Sequence, residues 1–354
     1  MRTCLLLLVV CIMLVTAVHS KDQNPFLDKF DTPFEVPPFD KIKVEHYMPA
    51  FEEAMARHNE QIDRIINHSA APTFGNTIEA LDYSGALLAS VSNVFFSMNS
   101  ALTNEEMQAI AKESAPMLSK HRDNIQLNDK LFQRIKAVYD NKDRLSLSRE
   151  QEMLLDDTYK NFVRNGANLD EEKKNELKAI NEELSVLTLT FGENILKENN
   201  AFELIIDSKE DLAGLPEAVV TGAAEDATRR GHEGKWVFTL HKPSMIPFIQ
   251  FSAKRELREK IYKAYFNRGD NNNELDNKEI LSKIASLRVK RAHLLGYKTH
   301  AHYMLEESMA KQPEEVYKLL NQLWTPALAR AKMEAKELQA MIDAEGNGFK
   351  LASW

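Results

Sequence analysis

The amino-acid sequence predicts a mainly α fold: a large helical slab of long antiparallel helices with a small strand–helix–strand insert at about 201–241. Apolar residues recur at three- and four-residue steps over long stretches, which is typical of amphipathic helices. The 354 residues include only 12 glycines and 12 prolines, too few for a turn-dense β architecture. Short runs of β-branched and aromatic residues replace the helical periodicity near the insert.

The clearest helix is predicted over 171–198, where apolar positions repeat with steps of three and four residues. These positions are Leu177, Ile180, Leu184, Leu187, Phe191 and Ile195. Such a helix is about 40 Å long at ~1.5 Å per residue, so an antiparallel partner of similar length is expected beside it. Another helix is predicted over 51–66, and its apolar face includes His58.

Capping residues predict further helix starts. Asn76 stands three residues before Glu79, and Thr103 stands three residues before Glu106. This spacing fits a capping box, in which the first side chain binds a free backbone N–H of the first helical turn. A further helix is predicted to begin near Ser148.

The insert is predicted from two short runs that favour strands. Residues 202–206 (FELII) and 236–240 (WVFTL) flank a short helix that begins near Pro216 and ends at Gly231. Helices are predicted to resume after the insert, and Pro326 is expected to kink or split the last of them. The predicted ranges are 244–266, 279–295 and 313–344.

The first 20 residues are predicted to be a signal peptide, with cleavage after Ser20. The apolar run Leu5–Val18 is shorter than the ~20 residues that a membrane span needs, and a membrane anchor is the alternative. Cys4 and Cys11 both lie in this segment, so the mature chain is expected to hold no disulfide and no cysteine metal site. The sequence therefore predicts an exported protein, periplasmic or secreted.

The rest of the chain is predicted to comprise four segments. Residues 21–49 form an arm rich in proline and phenylalanine, whose aromatic side chains are expected to pack across the helical body. These side chains are Phe26, Phe30, Phe34 and Phe39. A helical N-terminal domain follows at 50–200, then the insert at 201–241, then a helical segment at 242–354. Residues 349–354 begin a new apolar stretch, which indicates that the natural chain continues.

Composition and charge argue against several classes of partner. Apolar residues make up 44% and charged residues 28%, which is typical of a globular protein. The formal net charge is -8 and no dense basic stripe offsets it, so binding to nucleic acid is not expected. No membrane partner is expected once the signal peptide is removed.

The histidines suggest two metal sites, and both are weak. His232 and Glu233 begin the His-Glu-x-x-His zinc motif, but Trp236 stands where the second histidine belongs. A second group surrounds Gly296, which is expected to interrupt the helix, so these side chains fit a helix–loop–helix junction better than a metal site. Its members are His293, His300, His302, Glu306 and Glu307. The sequence therefore assigns no catalytic residue and no metal ligand to this chain, and leaves its substrate-binding residues unknown.

Three groups of motifs resemble one known family. The first comprises 24–27 (NPFL), 44–51 (VEHYMPAF) and 72–81 (PTFGNTIEAL). The second comprises 234–240 (GKWVFTL) and 255–260 (RELREK). The third comprises 268–269 (RG), 276–277 (DN), 287–288 (LR), 294–297 (LLGY) and 308–310 (SMA). In order and spacing they resemble the thimet oligopeptidase family of zinc metallopeptidases, and within it the branch of the bacterial peptidyl-dipeptidases and oligopeptidase A.

The resemblance implies a mainly helical enzyme of roughly twice this length, in which two halves flank a channel for short peptides. It also implies that the zinc motif belongs to a C-terminal half that would follow Trp354. In such an enzyme zinc activates a bound water and polarises the peptide carbonyl, while a glutamate accepts the proton. Zinc is thus the cofactor of the complete enzyme, and none is expected to bind this chain.

Two functions follow as hypotheses. The first is the N-terminal part of an exported zinc metallopeptidase that releases C-terminal dipeptides from short peptides, inactive alone and completed by its C-terminal half. The alternative is a non-catalytic helical module that binds peptides or another partner. A third, minor hypothesis is an independent metalloenzyme that uses His300 and His302.

Overall fold

The computed structural model describes residues 24–354, which form two compact units that divide between Val186 and Leu187. The predicted signal peptide at residues 1–20 lies outside the described residues. Besides short helical segments such as Phe74–Glu79 and Ala80–Asp82, the first unit contains five complete helices and the start of a sixth. These are α1 Tyr47–Ile66, α2 Ala86–Ala101, α3 Glu105–Gln126, α4 Asp129–Asp140, α5 Arg149–Arg164 and α6 Glu171–Ala201.

The core of the first unit lies where α1, α4 and α5 meet the segment around Ile78. Its side chains are fully or almost fully buried, and the largest are Ile62, Ile78, Leu131, Phe132, Ile135, Leu155 and Phe162. Of the apolar positions predicted for α1, Phe51, Ile62 and Ile65 are buried, whereas Met55 and Ile66 are half-buried. Burial of such side chains contributes about 1.5–3 kcal/mol each.

Helix starts in this unit follow local hydrogen bonding, with two differences from the prediction. Ser148 caps α5 as expected, with its hydroxyl accepting from the Gln151 backbone N–H. The cap of α3 is Asn104 rather than Thr103, because the Asn104 side chain accepts from Met107 N. Asn76 is not an N-cap: it is the third residue after the true cap, Thr73.

The N-terminal arm is only partly packed. Phe26 is 2% exposed and its ring lies 5.5 Å from that of Tyr47, while Asn24 donates to the carbonyl of His46 at 2.9 Å. The expectation that all four phenylalanines are buried is wrong, because Phe34 is 98% and Phe39 51% exposed. Phe34 lies in the short 3₁₀ helix Pro33–Glu35, and Phe39 lies in a turn in which Lys41 N donates to the carbonyl of Pro38.

The second unit contains the remainder of α6 and the rest of the chain. Its further elements are β1 Leu204–Ile206, α7 Glu217–Arg229, β2 Trp236–Phe238, α8 Lys242–Phe251, α9 Arg255–Phe266, α10 Lys278–Leu294, α11 His300–Leu305 and α12 Pro313–Ala344. The predicted long helix is confirmed, as α6 runs without interruption for 31 residues.

The predicted insert and the mainly α fold are both confirmed. Strands β1 and β2 pair antiparallel, with Leu204 opposite Phe238 and Ile206 opposite Trp236. The period-two alternation puts Leu204 and Ile206 on the buried face of the sheet. On the same face the ring centroids of Phe238 and Phe248 of α8 are 4.5 Å apart. Helix α7 covers the sheet and completes this core.

Two predicted helices differ in detail. The single helix expected over 244–266 is interrupted between α8 and α9, because Ala253 N donates instead to the carbonyl of Ala213 at 2.8 Å. Helix α12 is not split at Pro326 and extends over all 32 residues. The predicted domain boundaries at 200 and 241 stay predictions.

Candidate functional site

The residues that began a zinc motif belong to an ion-pair group on the insert. His232 Nε2 lies 2.9 Å from Glu203 Oε2, and Arg230 donates to Glu203 Oε1 at 2.8 Å. Hydrogen bonds from Arg230 and then His232 lower the pKa of Glu203 below its usual range. Glu233 is exposed on the adjoining turn, so this group holds the insert together and offers no shared metal position.

The group around Gly296 is a helix junction, as the sequence indicates. His302 Nδ1 lies 2.8 Å from the hydroxyl of Thr299, the N-cap of its own helix. The hydroxyl of Tyr297 donates to Glu306 Oε2 at 2.7 Å. Each side chain thus has a local structural partner.

The other members of that group do not converge on them. His293 Nε2 lies 3.2 Å from the carbonyl oxygen of Lys298, and Glu307 is exposed. Burial, followed by the nearby Arg291 and Arg288, lowers the pKa of His300. Over residues 24–354, no three or more histidine, cysteine or carboxylate side chains are grouped to share a metal ion.

A different histidine pair lies in the first unit. His58 on α1 and His121 on α3 are joined by a 3.0 Å contact from His121 Nε2 to His58 Nδ1, and their ring centroids are 5.0 Å apart. His121 is 8% exposed. The sequence places His58 on the apolar face of its helix, which is a signal of burial. It carries no signal for His121, whose partner is 63 residues away.

Hydrogen bonding fixes the protonation of this pair. The Ser84 hydroxyl donates to the carbonyl of Leu81 at 2.6 Å, so its oxygen accepts from His58 Nε2 at 3.2 Å. His58 Nδ1 is then the acceptor for the N–H at His121 Nε2. Burial, with the adjacent His121, lowers the pKa of His58 to about 4. Burial also lowers the pKa of His121, so both rings are neutral near pH 7.

This direction of donation excludes a nucleophilic serine. A catalytic histidine accepts the serine proton, whereas His58 donates to Ser84 and the serine proton is directed at Leu81. The pair is therefore a structural or ligand-binding group rather than an acyl-transfer site.

A cleft of about 400 Å³ adjoins the pair between α1, α2 and α3. Its apolar lining comes from Leu88, Ala89, Leu118 and Ile125, and its further polar lining from Ser92, Arg122 and Gln126. Gln126 Oε1 is buried without a hydrogen-bond partner. Gly85 forms one edge in a left-handed conformation (φ 73°), where a Cβ atom would lie 2.7 Å from His58 Cε1.

Helix α12 of the second unit carries many exposed apolar side chains. None of the 32 residues of this helix is buried. Its exposed large apolar side chains are Tyr317, Leu319, Leu320, Leu323, Trp324, Met333, Leu338 and Met341. Exposed apolar side chains at this density favour an interaction surface. No helix within residues 24–354 combines the length and apolar character needed to cross a membrane.

The family model and the similar proteins found by comparison are all peptidases. Residues 248–354 match the model of peptidase family M3. The chain is 35% identical to a dipeptidyl carboxypeptidase of Salmonella typhimurium over 94% of this chain and 49% of that protein, and 34% identical to the dipeptidyl carboxypeptidase of Escherichia coli over the same shares. Oligopeptidase A of Escherichia coli is 28% identical over 94% of this chain and 48% of its own length.

These matches extend well beyond the segment that the family model covers. The chain spans about half the length of the curated relatives it matches. The motifs that suggested the resemblance, from residue 24 to residue 310, lie in both compact units. The family match and these relatives together support the thimet oligopeptidase family, peptidase family M3, for this chain.

Proposed function

We propose that this chain is the N-terminal part of an exported zinc metallopeptidase of the peptidyl-dipeptidase type. The complete enzyme hydrolyses short peptides and releases C-terminal dipeptides, and this chain alone is inactive. The observation that carries the proposal is the 35% identity to a dipeptidyl carboxypeptidase over nearly the whole of this chain but only half of that relative.

The zinc of such an enzyme does not fit the described part of this chain. Residues 24–354 contain no group of three or more side chains able to share a metal ion, whereas a catalytic zinc takes three protein ligands and a water. The ligands and the catalytic base therefore belong to the remaining length of the enzyme. This chain contributes helices that bind and orient the peptide.

The exposed face of α12 supports a missing partner half. Trp324 is 63% and Leu320 52% exposed on a helix with no buried residue. Covering such side chains gains about 25 cal/mol per Å² of apolar surface. The C-terminal half of the enzyme is the partner that fits this face, because the chain spans half of its relatives' length.

The test compares this chain with a longer chain extended past Trp354 to the full length of the relatives. Purified protein is incubated with a short peptide that has a free C-terminus, and with the same peptide amidated. The expected result is no cleavage by the 354-residue chain and chelator-sensitive dipeptide release by the longer one, with the amidated peptide resistant. Cleavage of both peptides would instead assign an oligopeptidase, and inactivity of the longer chain would overturn the proposal.

The 354-residue chain also tests the alternative, a peptide-binding module. Binding of the uncleaved peptide by a monodisperse chain, together with an inactive longer chain, would favour that function. Export is checked separately by N-terminal sequencing of the protein recovered outside the cytoplasm. The expected first residue is Lys21, and retention of Met1 would contradict a cleaved signal peptide.

A further inference from the structure

We propose that His58 and His121 form a binding site for a divalent transition-metal ion, distinct from the zinc of the proposed peptidase. The two imidazoles come from different helices, α1 and α3, and adjoin an open cleft of about 400 Å³. All of its residues lie in the first unit of this chain. Metal binding at the site can therefore be measured whether or not the proposed peptidase function holds.

The spacing of the two nitrogen atoms suits one ion. His58 Nδ1 and His121 Nε2 are 3.0 Å apart. Two imidazole nitrogens bound to a tetrahedral ion at ~2.05 Å are about 3.3 Å apart. A slight opening of the pair therefore admits an ion in place of the hydrogen bond. The proton on His121 Nε2 moves through water to Nδ1 of the same ring, so both metal-binding nitrogens present a lone pair.

The environment of His58 resembles that of a metal ligand. Ligand histidines generally donate their second ring N–H to a fixed acceptor, which orients the ring. His58 Nε2 donates to Ser84, and Ser84 is itself fixed by its bond to the Leu81 carbonyl. Gly85 lies so close to the ring that a Cβ atom there would approach His58 Cε1 to 2.7 Å. The ring is therefore oriented before any ion binds.

The cleft selects the class of ion. Its lining includes no carboxylate, so a hard cation such as Mg²⁺ or Ca²⁺ finds no suitable oxygen ligands. Imidazole suits Zn²⁺, Cu²⁺ and Ni²⁺. Water in the cleft completes the coordination, and the buried, unpartnered Gln126 Oε1 provides a hydrogen-bond acceptor in the same cleft.

The experiment is equilibrium dialysis of the 354-residue chain against Zn²⁺ and, separately, Cu²⁺ near neutral pH, after treatment with a chelator. One equivalent is expected to bind the unaltered chain and to be lost in His58→Gln and in His121→Gln. His302→Gln, which alters the unrelated junction, should retain it. Ser84→Ala should weaken binding ten- to a hundredfold, because it removes the outer hydrogen bond.

A second measurement covers the case in which a histidine variant fails to fold. The imidazole ¹⁵N resonances of the unaltered chain are recorded with and without Zn²⁺, and those of His58 Nδ1 and His121 Nε2 should shift. The proposal is overturned if no metal binds, if folded His58→Gln keeps the full equivalent, or if the shifted resonances belong only to other histidines.

Discussion

The His58 side chain is held at both ring nitrogens, one donating to Ser84 and one accepting from His121. Only the second contact requires a neutral ring, since a charged imidazole would direct a second N–H at the N–H of His121. Protonation therefore opposes the packing of α1 against α3.

Stability is expected to fall between pH 6.5 and about pH 4. The folded pKa of His58 is about 4 against an ordinary 6.5, so the unfolded chain binds more protons in this window and acid favours unfolding. Such a shift corresponds to ~3 kcal/mol, which partial exposure reduces to about 1–2 kcal/mol. Urea unfolding across the window should show this loss, and His58→Gln should flatten it. An unchanged slope in His58→Gln, or a flattened slope in the exposed control His68→Gln, would argue against the assignment.

Gly85→Ala should destabilise the first unit. The left-handed conformation costs a side chain about 1–2 kcal/mol, and the new Cβ atom would meet the His58 ring at 2.7 Å. The control is Gly222→Ala on α7, where nothing lies within 4 Å of the added atom and a gain of up to about 1 kcal/mol is expected. Thermal unfolding of the two variants should shift in opposite directions; a neutral Gly85→Ala would mean that the ring can move aside.

At the scale of elements, one buried carboxylate joins α6 to the loop before α10. Glu198 is 7% exposed and accepts from Gly269 N at 2.5 Å, Asn271 Nδ2 at 2.9 Å and Asn273 Nδ2 at 3.1 Å. Gly269 has a positive φ of 74°, so the loop turns sharply enough to direct this N–H at α6. Glu198 thus binds the loop at three of its residues.

Glu198→Gln is expected to loosen this loop. Replacing one carboxylate oxygen with an NH₂ group removes an acceptor for a buried donor, a loss of about 1.5–3 kcal/mol. This loss of free energy corresponds to a factor of about ten to a hundred. The rate of amide hydrogen exchange at Gly269 should therefore rise by one to two orders of magnitude. Glu274→Gln on the exposed side of the same loop is the control and should leave the rate unchanged. Equal exchange rates at Gly269 in the two variants would show that Glu198 does not order the loop.

Helices with a strong apolar period were predicted to within a few residues, as for α1, α6 and α10. The break between α8 and α9 was not, because it depends on the hydrogen bond from Ala253 to Ala213, 40 positions earlier in the chain. His121 was missed for the same reason. The residues next to it in the sequence, Lys120 and Arg122, are polar, and its role follows only from the approach of α1. Local pattern reveals which faces are buried, not which distant groups they meet.

At the scale of the whole molecule, the exposed row on α12 should dominate the solution behaviour of the isolated chain. Leu320→Glu combined with Trp324→Glu should reduce its self-association in sedimentation velocity, because both side chains are more than half exposed. Gln322→Glu, on the same helix, is the charge control. In the longer chain the double variant should lower peptidase activity. Unaltered self-association and full activity would show that this face has no partner.

The arm around Phe34 has a consequence for handling the protein. Phe34 is 98% exposed and strained at φ 58°, which makes it an accessible cleavage point for chymotrypsin. The segment before it is anchored by the buried Phe26 and by the bond from Asn24 to His46. Brief digestion should therefore nick the chain without releasing the short fragment, which gel filtration would recover with the main chain until denaturant separates them.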